Sequence, residues 1–387
     1  MKIVILSDSP TMNSGFARTT KMWASLLTQL QHNVICFGIG AWGNFHDINA
    51  YNYEIWQAGI LSDEHKNKFY ELLNFAKPEL IIINYELIRT LNWIIFLKKN
   101  GIKIKIVTYL IVDGLPIFPQ ILAPLNLVDL IITTTKVVKE FIQKHTNTKV
   151  VSFPHLVDQT FVSLPNIKMQ KNRYLNNTPL IGVFAANNPR KQISSVLQAF
   201  KNLRLKNVPC NLYIHTDYIN TTSHGGDNLN YLVKYYALEK DVFITESTSN
   251  LQADLVNQNF LSNLSVEEKI NCCDVIVVAS KFGGFEYSII EAQACKVPVC
   301  ATNDNGVMKE VGGNGVHLLE PCMYEFTNYG ARSFLIRPSI IAEAILKIFN
   351  NENYTKELIE SGSENVKRFS IENNFTYFRQ IIDSINC

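Results

Sequence analysis

Arg190 and Lys191 stand side by side behind Asn187-Asn188-Pro189, where an apolar run at 180–184 gives way to a segment of helical period. Two adjacent cations beside the free amides of a helix start suit a diphosphate, and a solvated Arg-Lys pair is the plainer alternative. Further on, Gly283-Gly284-Phe285-Glu286-Tyr287-Ser288 leads into Ile289-Ile290-Glu291. The glycines expose backbone amides, the helix start adds its dipole, and a carboxylate such as Glu291 can chelate vicinal hydroxyls; a surface helix carrying two acids is the alternative. Near the N-terminus, Ser7-Asp8-Ser9-Pro10-Thr11-Met12-Asn13-Ser14-Gly15-Phe16 is a run of small polar residues ahead of a helix. Its amides would attract an anion, Gly15 would let backbone approach closely and Ser14 could donate a hydroxyl, with an ordinary capped turn as the competing reading. Asp113, in Val112-Asp113-Gly114-Leu115-Pro116, is either a turn former or a base. The segment 303–310 reads as a turn and short helix forming another wall of the same cleft.

These segments share a position, since each follows a short β-branched run. In open α/β sheets ligands bind beyond the carboxyl ends of the strands. The first 150 residues alternate expected strands at 2–6, 33–38, 80–84, 104–110, 127–133 and 149–152 with expected helices at 16–30, 63–75, 87–99 and 135–145. Between 153 and 178 the period lapses into Pro, Asn and Lys, which predicts a domain boundary. A second series follows, with strands at 180–184, 210–215, 242–245, 274–279 and 298–301 and helices at 191–205, 228–237, 265–273 and 287–295. Ser265 and Glu268 read as a capping box. From 339 onward two helical stretches are expected, the last crossing back to the first domain. The expected fold class is therefore α/β, with two doubly wound, Rossmann-like halves.

Composition narrows the partners. The 387 residues are 47% hydrophobic and 18% charged, which excludes a disordered or collagen-like chain. Thirty-six Lys and Arg against 34 Asp and Glu give +2, so no overall basic charge announces nucleic acid or an anionic membrane. Eight scattered cysteines without a C-x-x-C pair read as reduced core thiols, and the short apolar start at 2–6 is too brief for a signal peptide. A cytoplasmic location is the expectation. The stretch 92–99 with Lys103 and Lys105 reads as core with a solvated end, or as a weak membrane-docking patch. Trp42, Phe45, Tyr51, Tyr53 and Trp56 cluster after the second strand, where rings could stack on an acceptor.

Taken together these segments resemble the GT-B glycosyltransferases, most closely their large family 4 of retaining, nucleotide-sugar-dependent enzymes. Residues 283–299 are similar to that family's E-G-F-G-x-x-x-x-E-A-x-A-x-G-x-P-V signature; Ser14 to Ala17, Pro154-His155-Leu156-Val157-Asp158 and the Arg190-Lys191 turn match as well. The resemblance implies two domains facing across a cleft: 1–165 on the acceptor side, joined by a C-terminal helix of about 368–387, and 176–367 on the donor side. It implies that Lys191 neutralises the donor diphosphate, Glu291 grips the nucleotide ribose, and Gly284, Phe285, Glu286, Tyr287 and Ser288 meet the donor. Asn187, Arg190, Ser14 and Gly15 would complete the donor contacts, and Asp113 would lie near the acceptor. Asp113, Arg190, Lys191 and Glu286 are the candidate catalytic set. A UDP- or GDP-sugar would be co-substrate, with no permanent cofactor and no metal; polysaccharide, glycolipid, protein and modified DNA base stay open as acceptors.

Two positions depart from the family pattern. Gly283 replaces the first Glu of the E-x7-E pair, with Glu286 as the nearest carboxylate, and Ala186 replaces the Arg five residues before Lys191, with Arg190 as candidate substitute. A sugar-nucleotide epimerase on the same fold and a non-catalytic nucleotide-sugar-binding protein are the alternatives.

Overall fold

The computed structural model describes residues 1–40, 51–59, 62–217, 219, 225–246, 260–304 and 306–386. They form two compact units, Met1–Leu156 with Asn374–Cys387, and Val157–Asn373.

The first unit is built on seven strands: β1 (Lys2–Asp8), β2 (Asn33–Ile39), β3 (Glu54–Gly59), β4 (Leu80–Glu86), β5 (Lys105–Ile111), β6 (Leu130–Thr133) and β7 (Val150–Ser152). Their order is β3-β2-β1-β4-β5-β6-β7 and every pairing is parallel. Such sheets are covered on both faces, which is why β1, β4 and β5 read as continuous Ile, Val and Leu runs. Helices α1 (Gly15–Gln29), α2 (Ser62–Ala76), α3 (Leu87–Lys99) and α4 (Lys136–Gln143) supply the cover. Ser14 caps α1 by accepting from the Ala17 amide, and Thr135 caps α4. Trp93, Ile94 and Leu97 of α3 belong to the core, and Ile95 and Phe96 of the same stretch are half-buried.

The second unit carries helix α5 (Pro165–Tyr174) ahead of six further parallel strands, β8 (Leu180–Phe184), β9 (Asn211–Thr216), β10 (Val242–Glu246), β11 (Val275–Val278), β12 (Val299–Thr302) and β13 (Val316–Leu319). Their order is β10-β9-β8-β11-β12-β13. Between them run α6 (Ile193–Leu205), α7 (Leu229–Tyr235), α8 (Val266–Cys272), α9 (Tyr287–Ala294) and α10 (Val307–Gly312). The α8 capping box forms as the sequence predicts, Ser265 and Glu268 each accepting from the other's amide. A separate antiparallel hairpin, β14 (Met323–Phe326) and β15 (Arg332–Leu335), precedes α11 (Pro338–Asn350) and α12 (Glu352–Val366). In both sheets the strand order reverses beside the first strand, between β1 and β4 and between β8 and β11, which is where doubly wound proteins bind ligands.

The tail differs from expectation in holding three helices rather than two; α13 (Ile371–Asn386) carries the chain into the first unit from Asn374 onward. There Phe378 packs against Trp23 and Phe153, with ring centroids 5.0 and 5.3 Å apart. The division between the units also falls at Leu156, ahead of 165. Residues of the polar stretch 153–178 join the second unit's core: Phe161 and Leu175 are buried there, Asn271 holds the Leu164 amide and the Val162 carbonyl, and Lys171, only 1% exposed, donates to Asp274 at 2.7 Å. Helix α5 lacks a clear apolar stripe because its buried anchor is a lysine paired with a carboxylate. Of the described cysteines, six are buried and free, and Cys322 is exposed on the way into β14.

Candidate functional site

In the second unit β8 and β11 are neighbours, with Ile181 opposite Val275 and Gly182 opposite Ile276. Their carboxyl ends therefore bring two loops together. After β8, Pro189–Lys191 forms a single 3-10 turn, and Gln192 turns left-handed at φ 50 before α6 starts at Ile193. Lys191 thus sits in a turn of its own rather than at the expected helix start. The Gln192 side chain explains the break: it donates to the carbonyls of Ala279 (2.6 Å) and Phe334 (3.2 Å) and accepts from the Ile336 amide (3.2 Å). It ties the turn to the end of β11 and to β15 and the residue that follows it.

The turn and the facing loop meet in a charged cluster. Lys191 Nζ donates to both Glu286 oxygens at 2.7 and 2.8 Å, and Arg190 donates to Glu286 Oε1 at 3.2 Å and to the Phe282 carbonyl at 2.8 Å. The Glu286 side chain is 8% exposed, Lys191 12% and Arg190 28%. Burial opposes ionisation of Glu286, yet Lys191 and Arg190 hold its carboxyl below the ordinary carboxylate range. Asp304, after β12, accepts from the Met308 and Gly283 amides; burial first, and then the like charge of Glu286, push its carboxyl up to about 8. Asp304 lies in the segment 303–310 that the sequence marks as a wall of the cleft, whereas Gln192 carries no signal in the spacing.

The other expected donor contacts divide. Gly284 lies in the same loop, and the Phe285 ring is buried against Tyr287 and Phe369, so any ligand contact from Phe285 must come from its backbone. The Ser288 hydroxyl donates to the Phe184 carbonyl at the end of β8. Asn187 braces the chain, its amide donating to the Asp227 carbonyl and accepting from the Asp227 amide. Glu291 is 3% exposed in α9.

In the first unit the carboxyl ends of β1, β4 and β5 carry Asp8, Glu86 and, two residues past β5, Asp113. Ser14 donates to Asp8 at 2.7 Å; Arg89 stands 3.6 Å from Asp8 and 3.3 Å from Glu86 and lies over the Tyr85 ring. Burial pushes the Glu86 carboxyl up against the pull of Arg89, and Asp113 and Asp8 add to the rise. Glu86 and Arg89 flank the start of a helix directly after a strand, a position that would have found them. A Cβ built on Gly15 meets nothing within 4 Å, so the first turn of α1 is open to a ligand. The aromatic cluster lies elsewhere: Tyr51 and Tyr53 line a cleft of about 660 Å³ with His32, Asn33 and Glu54 at the amino ends of β2 and β3, the sheet edge opposite to Asp8. Trp56 packs on Phe75, and Trp42 and Phe45 are outside the described residues.

A carboxylate held by an Arg-Lys pair at a sheet's switch point, beside a glycine-rich helix start, is an anion-handling arrangement. Among the described residues no group of three or more His, Cys, Asp or Glu is placed to hold a metal ion, and no helix is long and apolar enough to cross a membrane.

Comparison with known proteins agrees with the geometry. Sucrose-phosphate synthase from Thermosynechococcus elongatus has the same fold, with a TM-score of 0.78 at 16% identity over 100% of this chain and 99% of that one. Anabaena HepE, solved in complex with UDP-glucose, scores 0.71 at 16% identity over 99% of this chain and 100% of that one. An uncharacterized glycosyltransferase of Methanocaldococcus jannaschii is 32% identical over 116 residues, which is 30% of this chain and 29% of that relative. The family described as glycosyl transferases group 1 matches residues 166–365, just over half of the 387 and inclusive of the charged cluster, the Gly283-Gly284 turn and Glu291. With the two parallel-sheet α/β units of the GT-B fold, that match makes the chain a member of the glycosyl transferases group 1 family.

Proposed function

We propose that the protein transfers a sugar from a UDP- or GDP-sugar to an acceptor hydroxyl, with retention and without a metal ion, and that it does so in the cytoplasm as a family 4-type enzyme. The observation that carries the proposal is the meeting of Arg190, Lys191 and Glu286 at the carboxyl ends of β8 and β11. Cleaving a sugar–phosphate bond leaves negative charge on the departing diphosphate, and fixed cations aimed at that charge lower the barrier. Arg190 and Lys191 supply those cations, and the amides of Gly284 to Ser288 add dipole at the start of α9. Glu291 takes the ribose hydroxyls, Glu286 faces the donor sugar, and the open turn at Ser14 and Gly15 adds phosphate contacts.

For retention the acceptor oxygen attacks the anomeric carbon from the side the diphosphate leaves. The bond from carbon to the leaving oxygen breaks as the new bond forms, and a diphosphate oxygen accepts the acceptor's proton. Asp113 orients that hydroxyl.

Mass spectrometry after incubation with a panel of UDP- and GDP-sugars and hydroxyl-bearing acceptors tests the proposal. The expected result is one acceptor gaining the mass of one sugar, with Lys191→Ala slowing transfer by roughly a hundredfold or more. Consumption of donor with no acceptor, giving an isomeric sugar nucleotide, would establish an epimerase instead. No consumption and no binding of any donor would end the assignment.

A further inference from the structure

Glu286 has three features that a plain loop residue does not need. Its backbone is left-handed, with φ 54 and ψ 84, a conformation that L side chains rarely adopt. Its side chain fills the place beside residue 283: a Cβ built there would lie 2.7 Å from Glu286 Oε1 and 2.8 Å from its Cγ, so this arrangement requires glycine at 283. Its carboxylate engages both cations of the turn, Lys191 through both of its oxygens.

The charges explain what the arrangement does. Arg190 and Lys191 are adjacent cations, partly and largely buried, and the Glu286 carboxylate lies between the loops as an anion held by both. A diphosphate brings more negative charge and more acceptor oxygens to the same two donors, and the carboxylate it displaces regains water. We infer that Glu286 is a resident counter-anion, occupying the anion position of Arg190 and Lys191 when no ligand is bound, and that a nucleoside diphosphate binds by displacing it. The inference rests on the reading of Arg190 and Lys191 as the donor's diphosphate clamp. Glu286 thereby weakens diphosphate binding and speeds its departure, because the competing anion is tethered and always at hand. The freed carboxylate is then available to the donor sugar, three residues away from where the family pattern carries its acid.

Calorimetric titration of UDP and of GDP into the full-length protein tests this, using wild type, Glu286→Gln, Glu286→Gly and the double variant Lys191→Ala/Glu286→Gln. Glutamine keeps the shape and removes the charge; glycine removes the side chain and suits the left-handed backbone, which guards against failure of the first variant to fold. Both single variants should bind the diphosphate about tenfold more tightly than wild type, and the gain should vanish in the double variant. If wild type binds and both single variants bind equally or more weakly, displacement is overturned while the clamp stands. If none of the proteins binds UDP or GDP, the clamp reading itself fails and the displacement falls with it.

Discussion

Lys191 Nζ lies 2.7 Å from one oxygen of Glu286 and 2.8 Å from the other, although 95 residues separate them in the chain. The contact exists because β8 and β11 are adjacent in the sheet, so the turn that follows one strand faces the loop that follows the other. It makes the chemistry of this site a property of a pair, and substitutions of either residue must be read through the partner left behind.

Lys191→Met leaves Glu286 with Arg190 as its remaining cation in a largely buried position. Removing one member of such a pair should lower stability by about 2 to 3 kcal/mol, the lower end reflecting residual exposure. Urea unfolding checks this, and Lys191→Met/Glu286→Gln should recover part of the loss. A single variant as stable as wild type would mean that the pair contributes nothing to the fold.

Gly283→Ala places a methyl group within 3 Å of Glu286 and should cost about 1 to 3 kcal/mol through forced displacement. In a Glu286→Gly background the same change should be nearly neutral, because the obstructing atoms are gone. Equal losses in both backgrounds would show that the methyl group meets something else.

Asp304 titrates far above its ordinary 3.8, at about 8, chiefly because burial disfavours its charge. Its folded value lies above its unfolded one, so its contribution to stability is fully present below 3.8 and is lost progressively as pH rises to about 8. Asp304→Asn, which resembles the protonated acid, should therefore melt higher than wild type by an amount that grows between pH 4 and 8 and then levels. Thermal melts across that range are the check, and parallel curves for the two proteins would refute the burial argument.

Phe378→Ala removes a fully buried ring from the cluster with Trp23 and Phe153 and should cost about 3 to 5 kcal/mol. Hydrogen exchange should show the loss first in α13 and α1. If only the second unit loosened, the ring's place in the first unit's core would not be what holds the last helix.

His155 is buried against the Tyr109 hydroxyl at 2.8 Å, and burial, with the Arg18 charge, lowers it to about 3. Its folded value lies below its unfolded one of 6.5, so stability is present above pH 6.5 and is lost as pH falls toward 3. His155→Gln should flatten the acid side of the stability profile; an unchanged slope would place the acid lability elsewhere.

The sequence by itself determined the architecture. Short β-branched runs alternating with segments of helical period allow little besides buried parallel strands under helices, and the caps at Ser14, Thr135 and Ser265 act within a few residues of themselves. It also marked the loops that follow the strands' carboxyl ends, because position after a strand is a local fact. Elements without a local signal escaped it: α5, anchored by the buried Lys171–Asp274 pair, and the β14–β15 hairpin, whose first strand is exposed throughout. Only the tertiary structure decided that Glu286 meets Lys191, that Gln192 breaks the helix after it, and that Asp304 stays protonated near neutral pH. The reason is that charge pairing and desolvation depend on distance in space. Those distances were set by which strands lie side by side, and nothing in the spacing of residues along the chain records them.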